Sequence, residues 1–114
     1  MSNLRQLSQK YVEAVNRGDL SAIGALFADD FALEDPAGRF AGKQTVLDYM
    51  AGLLRDGGAI SFSVRNIIVE EAANISVIEF ELGLGGKKLM GTDVIHWCDG
   101  LMVELRAYLY EKQG

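Results

Sequence analysis

Apolar residues fall at helical spacing in the first half of the chain and at strand spacing in the second. Leu4, Leu7, Tyr11, Ala14 and Val15 form one stripe, which predicts an amphipathic helix over 3–17. Gly18 supplies its C-cap, because glycine enters the left-handed region without steric cost. Asp19 then caps a second short helix carrying Leu20, Ile23, Leu26 and Phe27. After Asp29-Asp30 the pattern changes: Phe31, Leu33 and Asp35 alternate with Ala32 and Glu34, which predicts a short strand. Pro36 and Gly38 turn the chain. A third helix fits from Gly42 to Leu54, with Val46, Leu47, Met50, Leu53 and Leu54 on its apolar side, and Asp56-Gly57-Gly58 reads as a turn.

The remainder is strand-like over 60–69, 75–82, 87–97 and 101–110. The separators are Glu71-Ala72-Ala73-Asn74, the glycines around Leu84, and Asp99-Gly100. All are short, so the four strands are expected to be sequential antiparallel neighbours. Helices followed by a meander predict an α+β domain with the helices on one face of an antiparallel sheet.

Composition narrows the class. A chain of 114 residues, 49% of them hydrophobic and only one a proline, suits one compact domain over 1–114 and no disordered or repetitive architecture. Eleven basic residues against 16 acidic ones give a net charge of −5, which argues against nucleic acid and anionic membrane surfaces as partners. One cysteine, Cys98, and one histidine, His96, allow no internal disulfide and no Cys/His metal cluster. No basic stretch followed by an apolar core opens the chain, and no apolar run approaches the roughly 20 residues that span a bilayer. These features predict a soluble protein of the cytoplasm.

Most of the carboxylates have simple explanations. Glu79 and Glu81 share one face of their strand, opposite Ile78, Phe80 and Leu82. Asp19, Asp56 and Asp99 stand at caps and turns, and Arg65 and Arg106 are simplest as surface partners of Glu79, Glu81 and Glu104. Asp93 differs. It lies mid-strand, sharing a face with Leu89, Gly91, Ile95 and Trp97, and the opposite face is also partly apolar, so its strand should be central. An isolated ionised carboxylate there is costly, so it must be paired or protonated. Protonated, it would be a hydrogen-bond donor aimed into apolar space; otherwise it bonds backbone neighbours and does no chemistry. Asp35 shares the core-facing side of its strand with Phe31 and Leu33, although an aspartate before proline also commonly starts a turn. Tyr11 sits mid-stripe on the first helix, as a core tyrosine or as a donor. His96 could act as a base or simply pack. Cys98 has no cationic neighbour in sequence to activate it.

The block from Tyr11 to Gly38 resembles the bacterial Δ5-3-ketosteroid isomerases. The pieces are Tyr11-Val12, Asn16-Arg17-Gly18-Asp19-Leu20, Ala25-Leu26-Phe27-Ala28-Asp29-Asp30 and Glu34-Asp35-Pro36-Ala37-Gly38. Much of it is shared across the wider nuclear-transport-factor-like superfamily, including polyketide cyclases. Three positions are more specific. Tyr11 falls where that family has its catalytic tyrosine, Asp35 where it has its base in a Glu-Asp-Pro-x-Gly turn, and Asp93 where it has a second, protonated oxyanion donor. A carboxylic acid kept neutral near pH 7 is an established device of those enzymes. Two departures stand out. Met50, next to Tyr49, occupies the position of a supporting tyrosine, which predicts a weaker network behind Tyr11. The run Gly91-Thr92-Asp93-Val94-Ile95 also lacks the usual preceding proline and following aromatics.

The resemblance implies a cone-shaped fold with a deep apolar pocket and a homodimer formed through the outer sheet face. It implies a cofactor-independent isomerase acting on a small hydrophobic ketone, most simply a 3-oxo-Δ5-steroid. Phe40, Met50, Phe62, Phe80 and Trp97 are the expected cavity walls. The alternatives are a polyketide cyclase- or dehydratase-like enzyme, the latter pairing an aspartate with His96, and a hydrophobic-ligand-binding protein without turnover.

Overall fold

The architecture comes from a computed structural model that describes residues 3–56 and 60–111. Helix α1 (Leu4–Arg17) begins at Asn3, whose side chain accepts from the Gln6 amide, and ends at Gly18 in the left-handed region at φ 63°. Asp19 caps α2 (Leu20–Gly24) by accepting from the Ala22 amide. Helix α2 stops earlier than its apolar pattern suggests. Phe27 opens strand β1 (Phe27–Asp35) instead, stacked on Phe31 with ring centroids 4.0 Å apart. A two-residue turn at Pro36-Ala37 leads into β2 (Gly38–Ala41), a strand too short and polar to show in the pattern. Helix α3 (Lys43–Asp56) runs two residues past Leu54. The turn expected at Asp56-Gly57-Gly58 falls, beyond that helix end, outside the described residues.

Strands β3 (Ile60–Glu70), β4 (Ile75–Leu84), β5 (Lys87–Cys98) and β6 (Leu101–Glu111) form the expected antiparallel meander. Gly85-Gly86 and Asp99-Gly100 make two-residue hairpin turns with positive φ at both positions, as right-twisted strands favour. The sheet order is β2-β1-β6-β5-β4-β3, with β1 running parallel to β6. The sheet is therefore mixed, where the meander alone suggests an antiparallel one. Register shifts in β3, between β5 and β6 and between β1 and β6 help it curve around α1 and α3. The core lies in that concavity: Leu4, Ile23, Phe31, Val46, Ile78, Ile95, Met102 and Leu105 are almost wholly buried. Among the described residues no helix is long and apolar enough to cross a membrane.

Candidate active site

Period-two geometry decides what each strand shows to the helices. On β5, Asp93, Ile95 and Trp97 face inward. Strands β4 and β6 flank it, so Asp93 sits on a central strand with Ile78 and Ala107 opposite. The residue is 4% exposed. Burial in these apolar surroundings pushes its carboxyl up to about 8, so the acid is largely neutral at pH 7. It is not tied to the backbone: among the described residues it makes no hydrogen bond, and no fully buried side-chain oxygen lacks a partner. Its oxygens are therefore reached from the cavity in front of them.

Tyr11 comes to the same cavity from α1. Burial, and then the nearby Asp93 carboxyl, hold its phenol well above the ordinary value, so it stays a donor. The ring of Phe62 meets Tyr11 edge-on at 6.3 Å and packs against Phe80 at 4.6 Å, which fixes the tyrosine's orientation. Phe62 is itself held by Asn16, which follows Tyr11 by five residues on α1. The Asn16 amide donates to the Phe62 carbonyl at 2.9 Å, and its side-chain oxygen accepts from the Phe62 N–H at 2.8 Å. Strand β3 is the sheet edge, so this clamp satisfies backbone groups that no further strand meets.

Asp35 closes β1 and is partly exposed. One carboxylate oxygen accepts from the Ala37 N–H at 2.8 Å and the other from the Tyr49 hydroxyl at 2.7 Å. Burial, and then the bond to Asp35, push Tyr49 up to about 12.

Tyr11, Asp35 and Asp93 line one pocket. The rest of its wall is apolar and includes Met50, Phe62 and Phe80, together with Leu53, Leu54, Ile60, Leu82 and Leu109. Two expected walls lie elsewhere. Phe40, on β2, stacks on Tyr49 at 4.0 Å, behind the pocket. Trp97 stands four residues along β5 from Asp93, about 13 Å away at strand rise. Its indole N–H donates to Ser76 Oγ, which also accepts from Ser8. It is core at the other end of the sheet, beside a separate surface cleft with Asn3 and Lys10.

His96 faces outward, opposite to Asp93 on the strand, where it meets Arg106 at 3.2 Å. Arg106 also binds Glu104, as its sequence position suggests. Among the described residues no group of three or more His, Cys, Asp or Glu side chains is placed to hold a metal. Tyr49 and Asn16 support the candidate site through Asp35 and Phe62, and nothing in the hydrophobic pattern singles them out. Only their place within the resembling block or beside Met50 points to them.

The arrangement offers a carboxylate and two neutral donors around an apolar space. That combination suits proton abstraction beside a carbonyl whose oxygen takes up the charge.

Residues 8–105 match the SnoaL-like domain. Among solved structures, an NTF2-like protein of unknown function from Cytophaga hutchinsonii superposes with TM-score 0.84 at 17% identity, covering 96% of this chain and 92% of that one. A candidate ketosteroid isomerase from Kribbella flavida gives 0.84 at 22%, covering 96% and 79%. A candidate polyketide cyclase from Sinorhizobium meliloti gives 0.81 at 17%, covering 90% and 94%. At these identities the structures speak for the fold alone. The domain match spans most of the sequence, and the protein belongs to the SnoaL-like domain family.

Proposed function

We propose that the protein is a cofactor-independent isomerase that moves a carbon–carbon double bond into conjugation with a ketone, with a 3-oxo-Δ5-steroid as the model substrate. Asp35 takes a proton from the carbon between the ketone and the double bond. The C–H electron pair forms a dienolate, and charge gathers on the ketone oxygen. Tyr11 and neutral Asp93 donate hydrogen bonds to that oxygen. Asp35 then returns the proton to the far end of the dienolate. The observation that carries this reading is the meeting of Tyr11, Asp35 and Asp93 in one otherwise apolar pocket.

A second reading, aldol ring closure of a polyketide, needs the same base and donors, and a candidate polyketide cyclase shares the fold. A dehydratase using His96 fits less well, because that side chain faces away from the pocket. The test is conversion of 5-androstene-3,17-dione, followed as the conjugated enone appears, with Asp35→Asn as control. Rapid conversion lost in the variant supports isomerisation by this base. A folded protein that leaves the dione unchanged turns the assignment towards ring closure or ligand binding.

A further inference from the structure

The geometry points to Tyr49 as a positioning residue that holds the Asp35 carboxylate in its working orientation; this rests on Asp35 being the base of the proposed reaction. The terminal torsion of an aspartate is broad and has no sharp rotamer, so one hydrogen bond leaves the carboxylate free to swing. The Ala37 N–H provides one donor, from the turn that follows β1. The Tyr49 hydroxyl provides a second, from α3, on the other oxygen. Two donors from different elements fix the plane of the group. Each carboxylate oxygen has two acceptor sites, so one site on each oxygen stays open for the substrate proton.

Tyr49 is itself held in place. Its ring lies nearly parallel to Phe40, with an interplanar angle of 16°. It is not part of the pocket wall, so it acts through Asp35 and not on the substrate. Helix α3 also brings Met50 to the pocket. The helix thus sets one piece of the wall and, one residue away, the direction of the base. The tyrosine hydroxyl of this helix serves Asp35, where the resemblance would have it support Tyr11.

The test is a cycle of four proteins: wild type, Tyr49→Phe, Asp35→Asn and the double variant. Phenylalanine keeps the ring against Phe40, so folding is preserved. We expect Tyr49→Phe to lower kcat roughly tenfold with KM within about twofold of wild type, the cost of a base left loosely aimed. In the Asp35→Asn background the second substitution should cost nothing more. An unchanged kcat, or an equal loss in both backgrounds, overturns the role of Tyr49 and leaves the isomerase reading standing. If wild type fails to convert the dione, that reading falls, and the 13C resonance of the Asp35 carboxyl carbon decides on Tyr49. A resonance displaced or broadened by Tyr49→Phe upholds the positioning role, and an unmoved one overturns it.

Discussion

At the scale of single residues, the proposed chemistry rests on one carboxyl placed where carboxyls are expensive. The apolar neighbours of Asp93 in sequence already make its ionisation costly, and the fold keeps them around it: Ile78 and Ala107 across the strands, Ile95 beside it on the same face. The absence of a backbone partner is not legible in the sequence, because it depends on where α1 and α3 leave space. The consequence reaches stability. The folded protein keeps a proton on Asp93 that the unfolded chain releases near the ordinary value of 3.8. The contribution of this group is therefore whole below about pH 4, declines as pH rises, and is gone above about pH 8. The slope is on the order of 1 kcal/mol per pH unit within that window. Asp93→Asn should flatten the dependence and make the protein more stable than wild type near pH 8. Urea unfolding of both proteins from pH 4 to 9 checks this, and parallel curves would count against a buried neutral acid. Close packing beside the acid matters as well. A β-carbon on Gly91 would lie 2.5 Å from Leu109 and 2.9 Å from Phe80, so the strand needs glycine there.

At the scale of elements, the meander is readable because each strand alternates and each separator is short. Both hairpin glycine turns and the caps at Gly18 and Asp19 stand where their chemistry demands. What escapes the pattern is non-local. The parallel pairing of β1 with β6 joins segments about seventy residues apart, and period-two alternation says nothing about such a partner. Phe27 fits helical spacing with Leu20, Ile23 and Leu26, yet its stacking on Phe31 and pairing with Met102 draw it into the strand. Trp97 shares a face with Asp93, but a shared face does not mean a shared pocket, since the sheet extends past the cavity. The Asn16 clamp is the element-level device that joins α1 to the edge strand. Asn16→Ala removes both bonds to Phe62 and should cost about 1–3 kcal/mol, seen as a lower urea midpoint with unchanged slope. A midpoint equal to wild type would show that the clamp carries no stability.

For the whole molecule, the two faces of the sheet divide the work. The inner face carries the pocket. The outer face carries a string of charges, with Glu104 bridging Arg39 and Arg106, and large exposed side chains: Ile68 at 51%, Tyr108 at 56% and Tyr110 at 64%. We propose that a second copy covers this face, as the resemblance to ketosteroid isomerases implies. Light scattering should give twice the mass of the 12.4 kDa chain, and Tyr110→Glu should halve it. A wild-type monomer at micromolar concentration would remove this pairing. The alternation of apolar and charged positions marks the two faces in advance, and the helices-first order marks which one is covered.

The proposed isomerisation is decided by kcat/KM for 5-androstene-3,17-dione from pH 5 to 10, in wild type and Asp35→Asn. The predicted result is conversion that declines as pH rises through about 8, where Asp93 loses the proton of its proposed hydrogen bond to the ketone oxygen, and a loss of about 10²–10⁴-fold in the variant. Wild-type activity that persists undiminished to pH 10, or an Asp35→Asn protein as fast as wild type, would contradict it.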